Sequence, residues 1–312
     1  MGPAELLAAG TWTPRGLLVP APAPLAWARS HAMVPFAEPR ADGSVRVWLT
    51  ARDADGRSHI GWALVDPAAG RVEAYSERAA LDPGPLGAFD DAGVMTSCLV
   101  RGDDGALRLY YIGWTRGVTV PFYTFVGLAV STDDGASFER ISPAPILERG
   151  PHDPYLTTSP WVLREGDRWR MWYTSGTGWR EEDGRPKHWY HVRYAESDDG
   201  VAWDRRGVVA IDFASPDEYA ISRPCVVRDP DRYRMWFSCR GPAYRIGYAE
   251  SADGITWRRD DAAAGIVAGS GDWDAVMVEY PCVFDVRGRR FVLYNGDGYG
   301  ATGIGLAEWE AT

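Results

Sequence analysis

IGWALVD (60–66), VGLAVS (126–131), VRYAES (192–197), IGYAES (246–251) and IGLAEW (304–309) are five versions of one short apolar strand, starting 54 to 66 residues apart. Ahead of each stands an aromatic-rich segment: VRVWLTARD (45–53), LRLYYIGW (107–114), RWRMWYTSG (168–176), RYRMWFSCRG (232–241) and RFVLYNGDG (290–298). Ahead of those lies a third apolar segment: AMVPFAEP (32–39), GVMTSCLV (93–100), SPWVLREG (159–166), RPCVVRDP (223–230) and YPCVFDVRG (280–288). Three elements recurring in one order mark an internal repeat. Short, turn-bounded runs in a repeat of this size read as strands of propeller blades, not as helices.

In three copies the last strand runs into a fixed turn, STDDGASF (131–138), SDDGVAW (197–203) and SADGITW (251–257). Asp-Gly suits the positive φ angles of a tight hairpin, and the aromatic that follows is placed to pack between blades. We therefore read these turns as outer hairpins and not as sugar or calcium sites. The last repeat ends at Glu310 without an outer strand, while WTPRGLLV (12–19) resembles WDRRGVV (203–209), the outer strand of the third repeat. The expected fold is all-β: a five-bladed β-propeller of four-stranded antiparallel blades. Its N-terminal strand completes the last blade and closes the ring, which removes exposed sheet edges. One domain over 1–312 follows, since no linker or low-complexity segment divides the chain.

No run approaches the roughly 18 apolar residues of a membrane-spanning helix. The first residues lack the basic and apolar segments of a secretory leader. Cys98, Cys225, Cys239 and Cys282 show no metal-ligand spacing, and three lie in apolar strands; buried thiols in a reducing cytoplasm are expected. A formal net charge of −10 argues against a nucleic-acid partner, because phosphate backbones are bound by excess Lys and Arg. The oligomeric state is not indicated.

In a propeller the first strand of each blade lines the central channel, so the polar residues just ahead of these strands are the ones that ring its mouth. They are His31, Asp90 and Asp91, His152 and Asp153, Glu218 and Arg223, and Asp274 and Glu279. Trp114, Tyr219 and other aromatics lie in adjoining strand ends. Carboxylates beside aromatic faces suit a sugar: rings stack on its apolar faces, and carboxylates bind hydroxyls or do acid-base work. The expected partner is thus a small molecule or oligosaccharide, with no nucleic acid and no membrane. The bland alternative for each residue is bracing of the channel.

The five repeats, the Asp-Gly turns ending in Trp and the acidic residues before the innermost strands resemble the five-bladed propeller glycoside hydrolase superfamily. It holds arabinanases and xylosidases of family 43, invertases of families 32 and 68 and mannoside phosphorylases of family 130. The resemblance spans essentially the whole chain. It implies an Asp as nucleophile or base, a second Asp that orients, and a Glu acid in a Glu-x-Pro motif. Glu279-Tyr280-Pro281 matches that motif, and Asp91 (in FDDAG) or Asp153 (in HDPY) takes the other role. His31, Asp90, Glu218, Arg223, Asp274, Trp114 and Tyr219 are then substrate-binding candidates. Where these hydrolases commonly carry a catalytic Asp in the first blade, this chain reads Ser30-His31-Ala32.

Arg223 is suited either to clamping a carboxylate or phosphate or to pairing with Glu218. No resident cofactor is indicated, and a His/Asp/Glu metal centre has no spacing motif behind it. DGYGATGIG (297–305) leads from one strand to another rather than into a helix, which removes a phosphate-loop reading. The leading function is a glycosidase-like enzyme. A biosynthetic lyase, transferase or cyclase that reuses the channel, or a carbohydrate-binding propeller without catalysis, stands beside it.

Overall fold

The computed structural model describes residues 10–311; residues 1–9, which include most of the stretch read as lacking a leader, lie outside the described residues, as does residue 312. The described chain opens with β1 (Gly10–Pro20). The first repeat holds β2 (Ser30–Pro39), β3 (Val45–Arg52), β4 (Ser58–Asp66) and β5 (Arg71–Tyr75). The second holds β6 (Gly93–Arg101), β7 (Leu107–Arg116), β8 (Phe122–Ser131) and β9 (Glu139–Arg140). The third holds β10 (Thr157–Glu165), β11 (Arg168–Glu182), β12 (Arg185–Ser197) and β13 (Val209–Ile211). The fourth holds β14 (Ala220–Arg228), β15 (Tyr233–Arg240), β16 (Tyr244–Ser251) and β17 (Arg258–Arg259). The last holds β18 (Glu279–Val286), β19 (Arg289–Asn295) and β20 (Gly303–Ala311).

The fold is all-β, and its strands form three sheets of four, eight and eight strands. Separate four-stranded sheets are expected for every blade, so the larger sheets are a departure. Each is two successive antiparallel repeats joined by one parallel residue pair, Ser58↔Gly93 in one and Tyr190↔Ala220 in the other. The third strand of one repeat passes the start of the first strand of the next, close enough for the ladder to continue by a single bridge. In the four-stranded sheet β1 lies antiparallel on β20, with Trp12 opposite Trp309. The N-terminal strand therefore completes the last repeat's sheet.

Aromatic joints link successive repeats. The ring that follows each Asp-Gly turn meets a buried ring on the second strand of the preceding repeat, edge to face. Phe138 meets Trp48 at 5.4 Å, Trp203 meets Tyr110 at 6.2 Å and Trp257 meets Trp172 at 6.1 Å. Trp12 of β1 meets Trp236 at 6.1 Å in the same way, so it stands where Trp203 stands in the third repeat. The turn backbone takes part: Tyr110 donates to the Gly200 carbonyl at 2.9 Å and Trp172 to that of Gly254 at 2.8 Å. Edge-to-face pairs contribute about 1 kcal/mol each beyond burial.

The first strands β2, β6, β10, β14 and β18 neighbour one another in sequence order, and β18 also neighbours β2. All five carry a bulge. At it Val34, Ser159, Arg223 and Tyr280 take φ of 54°, 47°, 54° and 55°. Such angles are unfavourable for residues with a side chain, above all β-branched Val34, and need support from neighbours. Asn295 gives it: its Oδ1 accepts from Val34 N at 2.8 Å and its Nδ2 donates to the Ala32 carbonyl at 2.7 Å. Three of the free cysteines work in the same layer. Cys98 Sγ accepts from Val162 N, Cys225 Sγ from Val283 N and Cys282 Sγ from Ala37 N, at 3.3, 3.1 and 3.2 Å. The last of these joins the final repeat to the first. Among the described residues, no helix is long and apolar enough to cross a membrane.

Candidate functional site

The ends of the first, second and third strands converge on a cavity of about 380 Å³ to which every repeat contributes. Its walls are aromatic and thioether: Met33, Met95, Trp114, Phe122, Tyr190, Tyr244, Tyr280 and Tyr299. The polar groups are Arg52, Thr124, His188 and Arg240. Size and lining suit a small ligand with stackable faces. Tyr190 and Tyr244 share a hydrogen bond of 2.6 Å between their hydroxyls. His188 lies flat on Tyr190, with centroids 4.6 Å apart and planes 5° apart. Burial, then Arg240 and Lys187, pushes the His188 pKa down to about 4, so this imidazole is neutral near pH 7. Its Nε2 and the Thr124 hydroxyl are buried without a hydrogen-bond partner.

Glu279 opens β18 behind this wall. Its side chain is fully buried, and neither carboxyl oxygen has a hydrogen-bond partner. Tyr190, Tyr244, Tyr280 and Arg240, all from the cavity lining, are the groups it interacts with electrostatically. Burial raises its pKa well above the ordinary carboxylate range, with Arg240, the nearby Tyr280 hydroxyl and the Tyr299 backbone N–H pulling the other way. Desolvation prevails because an isolated carboxylate in such surroundings costs more than holding a proton. Burial therefore favours the protonated form of Glu279 beside the cavity.

The other carboxylates of the sequence reading are not brought to Glu279. Asp90 accepts from Tyr111 Oη at 3.0 Å and Arg140 Nε at 2.8 Å. Asp153 accepts from Tyr173 Oη at 3.1 Å and Arg205 Nη1 at 2.9 Å. Glu218 is held by both terminal nitrogens of Arg259, at 2.8 and 2.6 Å. One brace thus recurs in three repeats: an acid before the first strand, closed by an arginine from the outer part of the same repeat. Asp274 has its own version, accepting from Gly271 N at 2.7 Å and Tyr294 Oη at 3.4 Å. A contact repeated with the repeat serves the repeat's own packing. Asp91 accepts from Gly87 N at 3.0 Å and faces a separate open depression with Asp55, Arg57 and Arg116.

Arg223 is not paired with Glu218, which Arg259 holds. It is buried, and donates to the Ser97 carbonyl and hydroxyl at 2.8 and 2.9 Å and to the Pro35 carbonyl at 2.7 Å. The bulge at its backbone turns the guanidinium toward β6 and β2. His31 contacts Ser30 Oγ at 2.9 Å, and its pKa is lowered by burial and then by Arg52. Trp114 lines the cavity, with its Nε1 donating to Ser58 Oγ at 2.7 Å. Tyr219 stands behind the rim, its ring facing Lys187 at 3.7 Å and Arg240 at 5.5 Å. Among the described residues one cluster, Glu218, Cys239 and Asp261, has metal-ligand proximity. Arg259 Nη2 bridges its two carboxylates at 2.6 Å each, so a guanidinium already fills the cation's place.

Sequence reasoning missed Arg52, His188, Tyr190, Arg240, Tyr244 and, as a wall residue, Tyr280. A signal for two of them was present. Arg52, Trp114 and Arg240 each stand four residues after the buried second-strand ring of their repeat, Trp48, Tyr110 and Trp236. The repeat thus points this position at the mouth whatever residue fills it.

No protein-family model matches the chain. It is 45% identical over 300 residues to "Uncharacterized protein MT1551" of Mycobacterium tuberculosis (strain CDC 1551 / Oshkosh), covering 96% of this chain and 99% of that one. It is 44% identical, with the same coverage, to "Uncharacterized protein Rv1502" of the strain ATCC 25618 / H37Rv. Among solved structures, BT0996 in its RGII complex superposes with a TM-score of 0.76 at 19% identity, over 96% of this protein and 92% of that one. A structure described as a glycoside hydrolase gives 0.75 at 18% identity, over 98% and 92%. A thermostable family-43 glycoside hydrolase gives 0.67 at 14% identity, over 92% and 90%. The fold is that of the propeller glycoside hydrolases.

Proposed function

The chain belongs to the same family as the two mycobacterial proteins, and we propose that it is a glycosyl-acting enzyme with Glu279 as its general acid. One observation carries this: a buried carboxyl, its pKa raised by burial, adjoins an aromatic cavity of about 380 Å³. The five repeats are read as five blades of one propeller domain over 1–312. The closing contacts Cys282 to Ala37 and Asn295 to Val34 support that count. The cavity is then the channel mouth, and Arg223 seals the channel beneath it.

In this reading the sugar stacks on Trp114 and the tyrosines. A flanking ring turns aside to let Glu279 meet the glycosidic oxygen, a rotamer change of the usual kind on binding. Glu279 gives its proton to that oxygen, the bond to the anomeric carbon breaks, and an incoming hydroxyl bonds to that carbon while its proton returns to the Glu279 carboxylate. Asp91 and Asp153 are not assigned a catalytic role, because one faces another depression and the other is closed in a brace.

A second reading is transfer of the sugar to an acceptor other than water. It is favoured by the cavity itself: among the described residues, no carboxyl lines it, and Glu279 stands behind its wall, which leaves no side-chain base of the usual kind for water. A nitrophenyl furanoside and pyranoside panel, run with wild type and Glu279→Gln with and without an added acceptor alcohol, tests both. Turnover that falls at least about 100-fold in the variant supports the acid. Equal turnover removes it. Acceleration by acceptor with formation of the transfer product selects the second reading.

A further inference from the structure

Resting on the cavity being the ligand site, we propose that its ligand is a sugar carrying an acidic group, a carboxylate or phosphate ester, with Arg52 and Arg240 as counter-ions. The chain has 43 acidic residues against 33 Lys and Arg, and its other buried or half-buried arginines are largely answered by acids. Arg46 meets Glu38 and Asp134, Arg140 meets Asp90, Arg205 meets Asp153, and Arg290 meets Asp229 and Asp285. Arg223 and Arg193 have no acid either, but Arg223 is answered by Ser97 and a backbone carbonyl and Arg193 by His191; the two arginines of the cavity have at most one side-chain acceptor, a tyrosine hydroxyl, between them. Among the described residues neither has a carboxylate at ion-pair distance, and the Nε of each is buried without a partner. Leaving a half-buried guanidinium unpaired is costly in a protein with acids to spare.

Arg240 is also fixed in place before any ligand arrives. It lies against the rings of Tyr219, Tyr244 and Tyr299, at 5.5, 5.1 and 5.5 Å, and donates to Tyr299 Oη at 2.6 Å. That bond uses one of its five donors and leaves the others for a planar or tetrahedral oxyanion. Arg52 is held by no side-chain acceptor; its electrostatic neighbour is Tyr280. The nearby groups do not supply the missing negative charge. Glu279, the acid that Arg240 influences, accepts no hydrogen bond from it. His188 and His31 bring no negative charge. Two cations set in an aromatic wall therefore select against a neutral glycoside of the same shape, whose hydroxyls repay guanidinium desolvation less well.

Calorimetric titration of wild type, Arg52→Met, Arg240→Met and Arg240→Lys with D-glucuronate, D-glucose 6-phosphate, D-glucose and inorganic phosphate tests this. At least one charged sugar is expected to bind about tenfold or more tighter than glucose, to weaken with salt, and to lose that margin in the Met variants. Which one does so tells carboxylate from phosphate ester. Glucose binding as tightly as both charged sugars overturns the inference, and so does a failure of all four to bind. Inorganic phosphate binding as tightly as the sugar phosphate, with glucuronate silent, overturns it in favour of a free-anion subsite. Should a Met variant not fold, the wild-type order and Arg240→Lys decide. Binding is read without turnover, so a catalytically silent protein that prefers a charged sugar sustains this inference while the proposed reaction fails.

Discussion

Arg223 Nη1 reaches the Ser97 carbonyl at 2.8 Å and the Ser97 hydroxyl at 2.9 Å, tying β14 to β6 two repeats away. With its bonds to β2 it joins three first strands through one side chain. Hydrogen bonds from a charged donor contribute about 1.5–3 kcal/mol each. Arg223→Met is therefore expected to cost about 3 kcal/mol or more, visible as a lower urea midpoint at unchanged slope. An unchanged midpoint would show that the repeats hold together without it.

The acid-arginine braces give a contrasting outcome. Asp153→Asn keeps shape but loses the charge facing Arg205, and is expected to lower stability by about 2 kcal/mol. Because Asp153 is buried against Tyr173 and away from the cavity, kcat and KM for any responsive glycoside are expected to stay within about twofold. A 100-fold loss of kcat in a folded Asp153→Asn protein would restore it as a reacting group.

The braces show how far sequence reading went and where it stopped. The repeat carried the strands, the completing role of Trp12 and the Asp-Gly turns, because each follows from local pattern and spacing. It also named Glu279 and Trp114, which lie at the aromatic cavity. It did not foresee the braces of the polar residues before the first strands, because position along a repeat does not say which way a side chain turns. The bulges decide that: Arg223 at φ 54° points to its neighbours' backbone, while Glu279, one residue before a bulge at Tyr280, borders the cavity. Arg52 and Arg240 close their segments where charge looks like ordinary solvent exposure. Their lack of partners exists only in three dimensions.

The cysteines supply a simple check on the packed layer. All four are buried and free, and burial pushes the Cys98 and Cys239 thiols up to about 12. A thiol reagent such as dithionitrobenzoate is expected to label none in the native protein and all four after denaturation. Fast labelling of even one native thiol would contradict this layer.

Gly200 sits at φ 75°, and a Cβ there would lie 2.6 Å from the Tyr110 hydroxyl. Gly200→Ala is expected to cost about 1–2 kcal/mol, from the strained angle and the disturbed joint. Equal melting of variant and wild type would mean that the turn yields without cost.

The raised pKa of Glu279 has a defined pH signature. The folded protein keeps a proton that the unfolded chain releases near the ordinary carboxylate range, so the folded state binds more protons above that value. Stability from this group is complete below the unfolded pKa and falls as pH rises toward the folded one, by up to about 1.4 kcal/mol per pH unit. Glu279→Gln removes the titration, so its melting temperature is expected to gain on wild type between pH 5 and 8. A constant difference across that range would mean that Glu279 ionises normally.

The most direct test is the infrared difference spectrum of wild type minus Glu279→Gln at pH 7, in H₂O and D₂O. The account predicts the carbonyl band of a protonated carboxyl, shifting on deuteration and absent from the variant. A carboxylate band in its place would contradict it, because an ionised Glu279 has no proton to give a leaving sugar.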